Sequence, residues 1–112
     1  MARTSANASG NYEGKEKDEK KAQPEDFVEY GDGYADITLS RPLKVGDAKV
    51  SVVRMREPEV RDNLAYDKAR GSESEKELTV FANLLELSPE QVGRMPLRDY
   101  RRVSAAYTGF LD

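Results

Sequence analysis

Residues 78–111 read LTVFANLLELSPEQVGRMPLRDYRRVSAAYTGFL and hold most of the large apolar side chains that could build a core. Their apolar residues recur at helical spacing in two series, Leu78, Phe81, Ala82 and Leu85, then Tyr100, Val103, Tyr107 and Phe110, with Leu111 one step beyond. Apolar side chains three and four positions apart line one side of a helix. The stretch therefore predicts two amphipathic helices that cover each other or a third surface.

Capping signals divide this part of the chain into separate helices. Ser72 and Ser74 each have a glutamate three residues later, and Ser88-Pro89-Glu90-Gln91 places a proline first and a glutamine third. Both patterns are typical of capping boxes at helix starts. We expect a helix that carries residues 78–87, a helix of one or two turns that ends near Gly93, and a last helix over residues 97–111.

Upstream, residues 36–56 show the two-residue period of strands. The alternating apolar residues are Ile37 and Leu39 before a Val45-Gly46-Asp47 turn, Val50 and Val52 after it, and the phase slips at Val53 and Met55. This pattern predicts a β-hairpin whose apolar face, Ile37, Leu39, Val50 and Val52, rests on the helices, with a bulge where the phase changes. Because proline cannot donate to a ladder, the first strand should lie at an edge or end near Pro42.

Glu57-Pro58-Glu59 predicts the start of a further helix, with Pro58 at its first position and a stop at Gly71. Its apolar stripe is thin and consists of Val60, Leu64 and either Ala65 or Tyr66. We therefore expect this helix to be partly exposed.

Residues 1–33 are poor in apolar side chains and hold the whole net charge of −3, so the remainder is neutral. Such a mixed-charge segment predicts a disordered tail, since it cannot bury enough surface to order itself. The alternative is a binding arm that uses the apolar residues Phe27, Val28, Tyr30 and Tyr34. The fold class that we predict is α+β: a small, mostly helical domain over residues 34–112, with an N-terminal β-hairpin and three or four helices, preceded by a disordered tail over residues 1–33.

Composition excludes several kinds of site. The chain has no cysteine and no histidine, which removes disulfides, thiolate ligands, and the commonest general base and metal ligand. It has no glycine-rich phosphate loop and no nucleophile paired with a base. No apolar run approaches a membrane span, and no apolar block follows Arg3 as in a signal peptide. We expect a soluble intracellular protein that is not an enzyme and that holds neither cofactor nor metal.

Two binding functions remain open for the last helix. A row of arginines, Arg94, Arg98, Arg101 and Arg102, could read DNA as part of a helix-turn-helix, although a neutral domain favours a solvated basic face instead. Aromatic residues beside arginines are also typical of protein interfaces, although aromatics at helical spacing commonly belong to a core. The candidate partner-binding residues are Arg98, Tyr100, Arg101, Arg102, Tyr107, Phe110 and Leu111.

Residues 36–112 resemble the tail assembly chaperones of contractile-tailed phages of the Mu and P2 type. The similarity is carried by ITLSRPL at 37–43 with Gly46, by VRMREP at 53–58, similar to the family's lR-x-P, and by Asp62. It continues in LLELSPE at 84–90, similar to L-x-G-L-x-P-E, in Asp99-Tyr100, similar to D-[YF], and in the terminal Phe110-Leu111. The sequence departs from the family at Glu86, where relatives usually have a small residue, often glycine. We expect Glu86 to face solvent, because an unpaired buried carboxylate is costly.

The resemblance implies a non-enzymatic protein of virion morphogenesis. Such chaperones are thought to coat the long, helical and apolar tape measure protein in the host cytoplasm until tail tube subunits polymerise around it. They are then displaced and are absent from the mature virion. The implied partner is the tape measure protein; the tail tube protein as a second partner and self-association stay open, and neither nucleic acid nor membrane is bound. The alternative is a small DNA-binding regulator that uses the arginine-bearing last helix.

Overall fold

Over residues 21–112, which the computed structural model describes, a three-stranded antiparallel sheet is followed by four helices. The strands are β1 (Val28–Gly31), β2 (Tyr34–Val45) and β3 (Ala48–Arg56), and four residues of 3-10 helix, Pro24–Phe27, precede them. The helices are α1 (Val60–Lys68), α2 (Glu73–Leu85), α3 (Pro89–Gly93) and α4 (Leu97–Phe110). The predicted α+β class is confirmed.

The core lies between one face of the sheet and the helices. Alternate residues of β2 and β3 point inward, and α2 and α4 place their apolar stripes on them, with α3 closing one end. The buried apolar residues are Ala35, Ile37, Leu39, Leu43, Val53, Met55, Val80, Phe81, Ala82, Leu84, Leu85, Val92, Met95, Val103 and Ala106. Beyond residues 34–37, where β1 also pairs, the sheet consists of β2 and β3 alone, and a two-stranded hairpin is marginal in water, so packing on the helices stabilises the sheet.

The strand β1 was not predicted from the sequence. It pairs with β2 in the register Val28↔Ile37 to Gly31↔Tyr34, so the expectation of disorder up to residue 33 is wrong for Pro24–Gly31. The order arises because Phe27, Val28 and Tyr30 rest on the chain's own domain. Residues 1–20 lie outside the described residues.

A register shift divides the β2–β3 hairpin into two ladders. Thr38 pairs with Val52, whereas Leu43 pairs with Val50, so residues 39–42 of β2 face the single residue Ser51. The hairpin is therefore irregular as predicted, but the extra residues lie on β2 and not at Val53 and Met55, where the sequence placed the bulge. The expectation that Val52 belongs to the apolar face is wrong: Val53 and Met55 are buried and Val52 is half exposed. The reason is the paired register, in which Ile37 and Val53 share the inner face.

Pro42 lies inside this irregular section and not at a strand end. The strand β2 continues to Val45, contrary to the expectation that it ends near Pro42. It is central only where β1 pairs with residues 34–37, so around Pro42 it has a strand neighbour on one side only, as the edge alternative predicted. A proline is tolerated here because residues 39–42 have no ladder partner, so its missing N–H breaks no ladder hydrogen bond.

The helix boundaries follow the predicted caps with small shifts. α1 begins at Val60 with Glu59 as its N-cap, so Pro58 lies before the helix and not at its first position, and it ends at Lys68, before Gly71. Ser72 and Glu75 form the capping box of α2, and Ser88 and Gln91 form that of α3. α1 is partly exposed as expected, with Val60 77% and Leu64 54% accessible.

Glu86 ends α2 in the left-handed conformation, with φ of 58°. The Leu87 amide donates to the Ala82 carbonyl at 3.0 Å, and the Glu86 amide donates to the Asn83 carbonyl at 3.2 Å. These two bonds form a Schellman motif, in which glycine is the usual left-handed residue. The expected solvent exposure of Glu86 is confirmed, and the backbone conformation explains why a glycine suits this position.

A close approach between Tyr30 and Gly109 fixes β1 on α4. The Tyr30 hydroxyl donates to the Ala106 carbonyl at 3.0 Å, and its ring meets Phe110 edge-on, with 5.1 Å between centroids. A Cβ at Gly109 would overlap the Tyr30 hydroxyl. Glycine in this helix therefore makes room for the tyrosine.

Gly109→Ala should destabilise the protein by about 1–3 kcal/mol, because the added methyl displaces Tyr30. Without that contact, the higher helix propensity of alanine would stabilise α4. Urea unfolding measures the change. Gly93→Ala, whose Cβ meets nothing within 4 Å among the described residues, is the matched control and should not destabilise. If Gly109→Ala lowers the free energy of unfolding by the same amount in a Tyr30→Ala background, the contact with Tyr30 is not the cause of the destabilisation.

Glu86→Gly should stabilise the fold by about 1 kcal/mol, because a glycine enters the left-handed region without a Cβ clash. Glu86→Ala removes the same carboxylate but keeps the Cβ, so it should bring no comparable gain. Thermal and urea unfolding of both variants measure the effect. Equal stabilisation by alanine and glycine would show that the charge, and not the backbone, limits stability at this position.

Candidate protein-binding surface

The helix α4 is fixed by one buried carboxylate near its N-terminus. Asp99 is fully buried, and it accepts the Ser40 amide at 2.8 Å and the Ser40 hydroxyl at 3.0 Å. Ser40 belongs to the irregular section of β2, whose amides lack ladder partners. Asp99 thus satisfies a backbone donor that the bulge would otherwise leave unpaired, and ties α4 to the sheet.

Arg102 is held against the 3-10 turn and β2. Its guanidinium lies 3.4 Å from the centroid of the Phe27 ring, donates to the Thr38 carbonyl at 2.7 Å, and is 3.8 Å from Asp99. Its side chain is only 12% exposed. Among the predicted partner-binding arginines, Arg102 is therefore already held by contacts with other residues of its own chain.

Tyr100 and Tyr107 lie at the boundary between the core and solvent. Both rings contact Phe81 of α2, at centroid distances of 5.7 and 5.2 Å, and both residues remain partly exposed. The Tyr100 hydroxyl donates to Glu77 at 2.9 Å. Burial, then this hydrogen bond, raises the pKa of Tyr100, so the phenol stays a donor near neutral pH.

The remaining predicted residues differ in exposure. Phe110 is partly buried beneath Tyr30, whereas Arg98, Arg101 and Leu111 are exposed. Among the described residues, neither Arg98 nor Arg101 forms an ion pair. The structure thus brings Arg98, Arg101 and Leu111 to the outer side of α4 and leaves Arg102 and Phe110 facing the N-terminal segment.

Sequence reasoning missed one residue of this outer side. Leu97 is 66% exposed at the start of α4, and Leu111 is 64% exposed at its end. Leu97 lies outside the stripe of Tyr100, Val103, Tyr107 and Phe110. The sequence signal that could have identified Leu97 is a seven-residue repeat, since Leu97, Ser104 and Leu111 are each seven positions apart.

Two depressions flank α4. A shallow groove of about 710 Å³ runs along its outer side and is lined by Pro24, Glu25, Tyr30, Arg101, Ser104, Ala105, Thr108, Gly109 and Asp112. A small cleft of about 100 Å³ lies between α1, α2 and α4 and is lined by Asp62, Asn63, Tyr66, Glu77, Val80, Phe81 and Tyr107. Neither has the shape of an enclosed small-molecule site.

The four arginines of the alternative DNA-binding hypothesis do not form a continuous row. Arg94 pairs with Glu90 at 2.9 Å, and Arg102 stacks on Phe27. Only Arg98 and Arg101 of the four remain free of partners within residues 21–112.

No group of three acidic side chains within residues 21–112 is arranged to hold a metal ion. In the same range, no helix is both long and apolar enough to cross a bilayer.

A second carboxylate fixes α1 beside the cleft. Arg56 donates to both oxygens of Asp62, at 2.8 and 3.0 Å, and the Glu59 amide donates to Asp62 at 2.7 Å. The Arg56 hydrogen bonds, with a smaller contribution from the Glu59 amide, lower the pKa of Asp62 despite its burial. The ionised form is thus the one that holds α1 at the edge of the sheet.

Asp62→Asn should destabilise the protein by about 2 kcal/mol near pH 7, since it replaces charge-assisted hydrogen bonds. Because the folded pKa lies below the unfolded one, the stabilisation is present above the unfolded pKa and is lost as pH falls through the folded pKa. The wild-type advantage should therefore shrink below about pH 4. Urea unfolding of both proteins between pH 7 and pH 3 measures it, and a gap independent of pH would contradict the ionic account.

Comparison with models of known protein families gave a match over most of the described residues. The model of the family described as phage tail assembly chaperone proteins, E, or 41 or 14, matches residues 36–112. No curated protein and no solved structure matched the chain. The matched range covers β2, β3 and all four described helices, and so includes both carboxylate anchors and the outer side of α4. The chain belongs to the phage tail assembly chaperone family.

Proposed function

We propose that this protein binds the tape measure protein in the host cytoplasm, keeps it soluble until tail tube subunits polymerise, and is absent from the mature virion. The observation that carries the proposal is the outer side of α4. It presents two large aliphatic side chains, Leu97 and Leu111, together with two arginines that have no ion-pair partner among residues 21–112. Exposed aliphatic residues with a basic rim are typical of a protein-binding surface.

The physical need for such a protein follows from the proposed partner. A long apolar helix exposed in the cytosol aggregates unless its apolar side is covered. Each copy of a small domain can cover only a short part of such a helix, so many copies must act together. Modest affinity at each contact lets polymerising tube subunits displace the copies, whereas a few tight sites would block assembly.

Co-expression with the tape measure protein of the same phage should make that protein soluble and yield a complex on size-exclusion chromatography. The control is co-expression with an unrelated small soluble protein, which should leave the tape measure protein insoluble. A tape measure protein that is soluble alone, or that stays insoluble without forming a complex, would contradict the proposal. Binding of duplex DNA that weakens steeply with salt would favour a small DNA-binding regulator instead.

A further inference from the structure

We propose that four residues of α4, Leu97, Tyr100, Ser104 and Tyr107, together with Leu111 at its C-cap, form a heptad stripe that binds one α-helix of a partner protein. The partner helix carries apolar residues at heptad spacing, acidic residues along the flank that faces Arg101, and basic residues along the other flank. The inference rests on the proposed function for the biological partner, but it can be tested without that partner.

The spacing of the stripe is that of a coiled-coil seam. Leu97, Ser104 and Leu111 are seven residues apart, and Tyr100 and Tyr107 are also seven apart, three positions further on. These are the a and d positions of two heptads. At a rise of about 1.5 Å per residue, the stripe is about 21 Å long, enough for four turns of a partner helix.

The stripe is separate from the core side of the same helix. Asp99, Val103 and Ala106 are the buried residues of α4, and none belongs to the stripe. The two tyrosines have one side on Phe81 and the other toward solvent, with Ser104 between them partly exposed. Since Phe81 and Glu77 already fix these rings, binding would cost them little additional side-chain entropy.

The two flanks of the stripe carry opposite charge. Arg101 lies directly beside the stripe, at an e position, and Arg98 lies behind it on the same side, at a b position; neither forms an ion pair within the described part of the chain. On the other flank is the first part of α2, where residues 73–77 hold three glutamates and one lysine. Glu77 there receives the Tyr100 hydroxyl, and Glu73 receives that of Tyr66. A stripe with one basic and one acidic flank favours a partner helix that places acidic residues against Arg101 and basic residues against the glutamates of α2.

The chemistry of the stripe also selects the kind of occupant. The backbone of α4 is used within the helix, so the stripe offers side chains and no ladder of amides to an extended strand. A partner must therefore satisfy its own backbone, as a helix does. An antiparallel second copy would place each Arg101 flank against the same flank of its neighbour, and this juxtaposition of like charges is unfavourable. A parallel second copy would match the charges, so light scattering is the measurement that separates self-association from binding of a partner helix.

The first test uses variants of exposed positions, which leave the core intact. Leu97→Ser with Leu111→Ser should weaken binding to the tape measure protein of the same phage at least tenfold, and Ser104→Arg should do the same by placing a large charged side chain at the centre of the stripe. The matched control is Val60→Ser with Leu64→Ser on α1, which removes similarly exposed aliphatic side chains elsewhere and should bind as wild type. Circular dichroism checks that each variant folds.

The second test examines the flank. Arg98→Glu with Arg101→Glu should weaken binding severalfold, whereas Lys44→Glu with Lys49→Glu, on the exposed hairpin, should not. Wild-type binding by both the aliphatic and the arginine variants would overturn the inference, although the proposed function would stand.

A designed peptide tests the stripe apart from the proposed function. The peptide has about four heptads with leucine at a and d, glutamate along one flank and lysine along the other, and a scrambled peptide of the same composition is its control. Fluorescence anisotropy should show binding that the Leu97/Leu111 and Ser104 variants lose. If the peptide binds this way but the tape measure protein does not, the proposed function fails and the stripe stands. No binding of the designed peptide, or a homodimer in light scattering that the stripe variants dissolve, would overturn the inference.

Discussion

The carboxylate of Asp99 connects the two halves of the structure. It reaches from α4 to Ser40, in the one part of the hairpin where the ladder is interrupted. A fully buried carboxylate is tolerated only if donors surround it, and the bulge supplies an amide and a hydroxyl at that point. The irregular strand and the buried acid therefore depend on each other. Because α4 is fixed at its first turn in this way, its outer side keeps a defined direction.

The residues that identify the family are mainly anchors of the fold. Arg56, from VRMREP at 53–58, and Asp62 bind each other and hold α1. Asp99, from the later motif, binds the bulge, and Glu86 occupies the left-handed position that ends α2. The motifs therefore indicate the family and how its fold is held together, but they carry less information about which surface a partner contacts.

The details that sequence reasoning missed depend on contacts between distant parts of the chain. Val52 and Val53 both fit an alternating pattern, and only pairing of Val53 with Ile37 decides which one is buried. Residues 24–31 look like a polar tail until Tyr30 meets Gly109, some eighty residues away. The caps at Ser72 and Ser88 were predictable because each is a local interaction over three residues. Of the predicted partner-binding residues, exposure singles out Arg98, Arg101 and Leu111, whereas periodicity alone could not separate them from Arg102.

The two tyrosines of α4 link stability to recognition. Tyr100 and Tyr107 pack on Phe81 with one side and extend the stripe of Leu97 and Leu111 with the other. If the proposed stripe binds a helix, substituting the tyrosines would disturb folding and binding together, whereas the exposed leucines and the partly exposed Ser104 could change with little effect on the core. The same arrangement means that a helix bound on the stripe would also press the tyrosines onto Phe81, so partner binding should stabilise the packing of α2 on α4. A surface of this kind can be specific and still release its partner, because most of its ordering is completed during folding and only a few side chains change their environment on binding.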